Sequence, residues 1–275
     1  MSLPDGDLLM FIKIEGAHPR YQSDIISLPH GFSTRHGGVS RGEYTQTLNF
    51  AYGRGDTDET VVKNFELFAE SIGAEPHNGI MLGQIHSTEV LTVTESEFGE
   101  GIYRKSERCL DGYVSSVPGA LLCVRVADCV PILFADETAR VIGAVHSGWR
   151  GSVGRIAVAC IEKMTSLGAV KGNIKAAIGP SICGNCYEVG ADFVDECRNR
   201  LGDALCRVFI NGRNGRYYAD LKRLNYSVLC EIGIKPENID VSDKCTRCEP
   251  NEFFSHRYHG NRRGTMCAMI SLPVN

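Results

Sequence analysis

The chain has 275 residues, of which 43% are hydrophobic, 23% charged and 8% aromatic, with a net charge of −4. This composition excludes a disordered or fibrous chain, and the slight acidity leaves no broad basic surface for a nucleic-acid backbone. The length allows one large domain or two small ones; no internal repeat, low-complexity segment or Pro/Ser-rich linker divides it, so residues 1–275 read as one domain.

In chain order, a β-rich run covers 8–14. Its Leu8–Ile12 portion is apolar, but Asp5 and Asp7 precede it where a secretory leader carries positive charge, and no small-residue cleavage site follows, so the expected compartment is the cytoplasm. Asp58 can cap a helix whose Val61, Val62, Phe65, Phe68, Ala69 and Ile72 share one face, with Gly73 as its stop. Short β-rich runs follow at 79–86, 89–94, 121–126, 131–135 and 141–146, the last three closely joined by turns. A helical run at 152–167 leads to a strand at 174–178, then to helices at 188–201 and 220–232 and a last strand at 265–272. Strands joined by turns beside a strand–helix–strand unit predict an α/β fold of mixed α+β character, with helices packed outside a mixed sheet. The longest apolar runs, Ala120–Val124 and Val130–Ala135, fall far short of the about 20 residues that cross a bilayer, so no membrane partner is expected. Twelve cysteines are too few for a disulfide scaffold and read mostly as reduced thiols, some able to bind metal.

Three segments place a reactive side chain at the end of an apolar run: Gly83-Gln84-Ile85-His86-Ser87, Val126-Ala127-Asp128-Cys129-Val130-Pro131 and Ala144-Val145-His146-Ser147-Gly148-Trp149-Arg150-Gly151. Strand ends gather distant residues and leave them open to solvent. His86, Cys129 and His146 can therefore converge, and two imidazoles with one thiolate suit zinc with a fourth position left for water. Asp128 would then orient that water or exchange its proton. Separations of 43 and 17 positions match no local metal motif, so spacing alone equally allows two satisfied histidines and a buried apolar Cys129. In the third segment Trp149 can simply pack on the core; the functional alternative is an anion site with Arg150 as charge partner.

These segments, taken in order with His30-Gly31-Phe32-Ser33-Thr34-Arg35-His36-Gly37-Gly38-Val39-Ser40, Leu48-Asn49-Phe50, Gly179-Pro180-Ser181-Ile182, Cys186-Tyr187-Glu188-Val189, Asp220-Leu221 and Phe253-Phe254-Ser255-His256-Arg257, resemble the bacterial family long labelled multi-copper polyphenol oxidoreductase (laccase domain). The resemblance runs from about residue 10 to the C-terminus. Members are described as purine nucleoside phosphorylases with adenosine deaminase and methylthioadenosine phosphorylase activity, and some as peptidoglycan editing factors. It implies a β-sandwich-like core flanked by helices, small-molecule nucleoside and phosphate as substrates, and zinc held by His86, Cys129 and His146, with copper as the other metal this donor set accepts. It also places Arg35 beside the site, in a Thr-Arg-x-Gly-Gly turn whose Gly37 and Gly38 would let the backbone approach an anion. For deamination, metal-activated water would attack C6 of adenine; for phosphorolysis, phosphate would attack C1′ of the ribose, with Arg35, Arg150 and Asp128 as candidate helpers.

The sequence departs from the family pattern in three places. Phe65 follows Asn64 where an Arg is usual, which fits a side chain packed inward. Arg263-Gly264-Thr265-Met266 replaces a Thr-Gly-Arg pattern, leaving Arg262 or Arg263 to substitute for the missing cation. Two Cys-x-x-Cys pairs, Cys183/Cys186 and Cys245/Cys248, have only Cys186 and Cys245 in common with the family, and their separation is far larger than in a zinc ribbon; free or redox-labile thiols are the expected state, with a second metal the alternative. A competing enzyme reading uses Cys129 as the nucleophile of a cysteine hydrolase acting on cell-wall precursors, with His86 or His146 as its base. A copper polyphenol oxidase is disfavoured because none of the 8 histidines forms a His-x-His pair. Three protein ligands also argue against a metal-stabilised binding module, since structural zinc sites are usually closed by four.

Overall fold

The computed structural model describes residues 11–274. Most of the Leu8–Ile12 stretch therefore lies outside the described residues. One sheet has the order β1 (Ile12–Ile14), β2 (Arg20–Gln22), β3 (His30–Ser33), β15 (Met266–Ser271), β7 (Leu121–Val126), β4 (Gly79–Ile80). A second has the order β14 (Ile239–Val241), β10 (Lys175–Ile178), β8 (Val130–Asp136), β9 (Val141–Ser147), β6 (Gly112–Ser115), β5 (Val90–Thr92). Both are antiparallel through the middle, with parallel pairs β4–β7, β10–β14 and β5–β6 at the edges. A small third sheet joins β11 (Glu188–Val189), β13 (Arg216–Ala219) and β12 (Ile210–Arg213).

The alternation within the central strands builds the layers. Leu122, Val124 and Val126 of β7 and Ala268 and Ile270 of β15 face Leu133 and Ala135 of β8 and Ile142 and Ala144 of β9, forming the inside of a two-sheet sandwich. The intervening Leu121 and Cys123, with Cys267 and Met269, pack on Phe65, Phe68 and Ala69 of helix α1 (Asp58–Ser71). On the far side, Ile132, Phe134, Val145 and Ile178 pack against α3 (Ile156–Ser166), α4 (Ala191–Phe209) and α5 (Leu221–Glu231). Each central strand is thus buried on both faces, which is why it reads as a continuous apolar run.

The elements differ from the sequence reading at their ends, each time for a local reason. Thr57, not Asp58, caps α1: its extended backbone lets the hydroxyl accept from the Thr60 amide at 3.3 Å, and Asp58 falls in the first turn. The expected 152–167 helix is divided into α2 (Trp149–Val153) and α3 by Arg155, whose φ of 62° breaks the helical path. Residues 188–189 are strand, and α4 runs on to Phe209 through a break at Gly202, where φ is 77°. The expected 79–86 strand shrinks to β4 because loops take the following amides: Met81 donates to the Glu100 carbonyl and Gly83 to that of Arg108. A short α6 (His256–His259) and strands β2, β3, β6 and β11–β14 carry too little periodicity to be read from sequence. Among the described residues, no helix is long and apolar enough to cross a membrane.

Candidate metal centre

Cys129 sits where the chain crosses from one sheet to the other, between β7 and β8. Pairing of β8 with β9 sets Pro131 opposite His146 and Val130 opposite Ser147, so the thiol and the imidazole come from adjacent strand ends. His86 arrives from elsewhere. It lies in the loop six residues beyond β4, with a φ of 61° that is uncommon outside glycine. One donor atom from each of the three residues lies within 4.8 Å of the other two, and the two imidazole rings meet edge to face at 4.8 Å between centroids. Gly148 makes room for this approach: a Cβ there would stand 2.3 Å from His86 Nδ1 and 3.3 Å from Cys129 Sγ.

Asp111, which the sequence reading passed over, organises the whole arrangement. Fully buried ahead of β6, its carboxylate accepts from the amides of Ile85 (3.2 Å), His86 (3.1 Å) and Ser87 (2.6 Å) and from the Ser87 hydroxyl (2.9 Å), which holds the His86 loop in its strained path. The same carboxylate meets His146 Nδ1 at 2.7 Å, fixing the ring and turning Nε2 to the remaining partners. Burial works against the Asp111 charge, but these bonds outweigh it and hold the carboxyl below its usual range. Burial likewise opposes protonation of His146, yet the facing Cys129 and Asp111 push it up to about 9. His86 moves the other way, first through burial and then through the neighbouring His146 charge. Sequence gives no signal for Asp111, because the short Gly-Tyr-Val-Ser strand that it precedes has no readable periodicity.

Asp128 is buried beside Cys129 with a φ of 87°. Its Oδ1 accepts from the Thr246 hydroxyl and its Oδ2 from the Arg257 amide, both at 2.6 Å, while its carbonyl accepts from Ile182. Each carboxylate oxygen keeps a second lone pair. Arg35 stacks on Phe254 at 4.6 Å and donates through Nε to the Gln46 carbonyl and through Nη1 to that of Pro250, leaving Nη2 without a hydrogen-bond partner among the described residues. His259 Nε2 lies 3.4 Å from Arg35 Nη1. The backbone of the Gly turn is not open to an anion as expected: Thr47 Oγ1 takes the Gly37 and Gly38 amides and Asn64 Oδ1 takes that of Val39. Asn64 also donates to Ser40 and the Asn49 carbonyl, in a buried network with Asp56 that fixes the turn.

Of the two substitute cations, Arg262 lies exposed over Tyr44, whereas Arg263 is half-buried, feels the charges of Asp128 and Cys129, and has a buried Nε without a partner among the described residues. Arg150 is exposed and stacks on Trp149 at 4.4 Å, with Trp149 packed on Phe193. It lines a cleft of about 340 Å³ with His86, Trp149, Glu196 and Arg200, which Arg35 does not line. The expected anion donors are therefore not one cluster.

The donor set fits a metal ion on two counts. His86 Nδ1 is buried with no hydrogen-bond partner among the described residues, and the Asp111–His146 pair has the form that orients a metal-bound imidazole. The profile of the multi-copper polyphenol oxidoreductase laccase family matches residues 29–273. A purine nucleoside phosphorylase of Deinococcus radiodurans is 37% identical over 93% of each chain. Adenosine deaminase RL5, from an unknown prokaryotic organism, is 35% identical over 85% of this chain and 90% of its own. The crystal structure of YlmD from Geobacillus stearothermophilus superposes with a TM-score of 0.85 at 30% identity, covering 96% of this chain and 99% of that one. A match that spans most of the chain, with relatives similar over nearly their whole length, shows that the chain belongs to the multi-copper polyphenol oxidoreductase laccase family.

Proposed function

We propose that the chain is a zinc-dependent enzyme of purine nucleosides, a single domain working in the cytoplasm. Its reactions are phosphorolysis of adenosine, inosine, guanosine and methylthioadenosine to the base and (methylthio)ribose 1-phosphate, and hydrolytic deamination of adenosine to inosine. The observation that carries the reading is the convergence of His86, Cys129 and His146 into one three-residue donor set, in a chain whose relatives are named purine nucleoside phosphorylase and adenosine deaminase. Zinc bound there would act as a Lewis acid and lower the pKa of water at a position the protein leaves open. Copper suits the same donors, but the lack of any His-x-His pair favours zinc. All twelve cysteines are unbridged, which suits a reducing compartment.

The protein's own groups divide the remaining work. Asp111 keeps His146 and the His86 loop in register. Asp128, held at both oxygens yet with lone pairs to spare, would accept the proton of attacking water and return it to departing ammonia, and in phosphorolysis would relay the proton of hydrogen phosphate to the purine as it leaves. The uncommitted Nη2 of Arg35 and the half-buried Arg263, whose charges both act on His259, would receive phosphate, while Arg150 stands apart in its own cleft.

Incubation of metal-assayed protein with adenosine tests the reading. With phosphate, adenine and ribose 1-phosphate are expected; without it, inosine; and both should fall sharply in folded His86→Ala and His146→Ala variants. Rates in those variants equal to wild type would eliminate it. A cysteine hydrolase is less well supported, because a thiolate shared with two imidazoles and a metal does not serve as a free nucleophile.

A further inference from the structure

The two Cys-x-x-Cys pairs are 62 positions apart, yet the fold brings them together. Strands β10 and β14 are parallel neighbours, with Ile178 opposite Val241, so the turns that leave their C-terminal ends emerge side by side. Cys183 and Cys186 occupy the first turn, Cys245 and Cys248 the second, and a bridge between Ser181 and Cys245 continues the pairing outward. All four sulfurs lie within 4.8 Å of one another. Cys186 Sγ and Cys248 Sγ are 3.3 Å apart, and none of the four is bridged. Zinc–sulfur bonds of about 2.3 Å set tetrahedral thiolates about 3.8 Å apart, so this cluster has the dimensions to surround one ion.

The surroundings suit a centre with excess negative charge. The amides of Cys186 and Tyr187 donate to the Cys183 carbonyl, folding the first pair into a tight turn. The Cys183 amide points to Cys245 Sγ at 3.3 Å, from one pair to the other. Arg247 reaches Cys186 Sγ at 3.5 Å, and the buried Lys222 holds the Ser242 and Lys244 carbonyls at 2.6 and 3.1 Å, under the second turn. The same two turns carry the Ile182 amide and Thr246 hydroxyl that grip Asp128.

We infer that Cys183, Cys186, Cys245 and Cys248 form a second zinc site, a closed four-thiolate centre that clamps the two turns behind Asp128. Four protein ligands leave no place for substrate, so the site is structural and independent of the reaction proposed above. Elemental analysis of dialysed protein tests it in three chains. Cys183→Ser/Cys248→Ser should carry about one zinc fewer per chain than wild type, whereas Cys129→Ala should retain that ion. Cobalt(II) loaded into Cys129→Ala should give the strong sulfur-to-metal charge-transfer absorption of a four-thiolate site, absent from the chain that also carries the two serines. Unchanged zinc in the double-serine chain, iron in place of zinc, or a Cys186–Cys248 disulfide in the unreduced denatured protein would each overturn the site. Should the double-serine chain fail to fold, mercurial titration of Cys129→Ala decides: release of about one zinc supports the centre, and release of none rejects it.

Discussion

Asp111 and Arg35 differ in how completely the fold occupies their polar atoms. Asp111 is closed off from solvent, and five donors converge on its carboxylate, one of them the ring of His146. Replacing it with Asn puts an amide nitrogen where one set of those donors points. Asp111→Asn should therefore weaken metal binding at the first site by about 10–100-fold, measured by competition with a chromophoric chelator. An unchanged affinity would mean that His146 is oriented by its strand alone. Arg35 is a different case, since Nε and Nη1 are tied to carbonyls and only Nη2 is left for a ligand. Arg35→Ala should raise the phosphate concentration needed for half-maximal phosphorolysis while deamination and metal content hold, because deamination involves no phosphate. Equal loss of both activities would make it a structural residue of the Phe254 stack.

At the scale of elements, the junction between β9 and α2 decides whether the ligands can meet. Gly148 lies there with nothing but hydrogen on its Cα, and the space a methyl group would need is occupied by His86 Nδ1 and Cys129 Sγ. Gly148→Ala should push the His86 loop outward and lower both metal affinity and turnover. Because that loop is half-exposed, thermal stability should change by less than in a core truncation, whose cost is about 2–5 kcal/mol. A variant with intact metal binding would show that the loop yields without cost. The elements themselves were partly legible. The periodic faces of α1 and α5 and the apolar runs of β7, β8 and β9 announced themselves, because burial on one stripe or on both faces writes a pattern into the sequence. Strands of two to four residues such as β2, β11 and β14 did not, since their pairing comes from neighbours and not from their own composition.

For the whole molecule, one buried acid links the two sheets. Ser23, just after β2, donates at 2.6 Å to Asp240 of β14, which is 2% exposed. Burial raises the Asp240 pKa to about 6, an effect that the Ser23 bond only partly offsets. A folded pKa above the unfolded value means that the native state holds the proton more tightly. The resulting stability is complete below about pH 4 and is lost as pH rises through 6. Asp240→Asn keeps an oxygen for Ser23 and carries no charge, so relative to wild type it should gain on the order of 2 kcal/mol between about pH 4.5 and 7.5 in urea unfolding. A difference that stays constant with pH would show that Asp240 ionises without penalty.

The sequence alone determined the central strands, the outer helices, the inward Phe65 and, through an ordered set of motifs, the family and the three metal-ligand candidates. These are properties of pattern and residue type, which the chain carries wherever it folds. Tertiary structure decided what depends on distant segments lying side by side. The β8–β9 register sets His146 by Cys129, Asp111 reaches back to the His86 loop, and Thr47 and Asn64 close the Gly turn that sequence had left open to an anion. Parallel pairing of β10 with β14 likewise joins two cysteine pairs whose spacing had argued against a shared metal. Separation along the chain says nothing about distance between strand ends, because hydrogen-bond register, not contour length, fixes where those ends emerge.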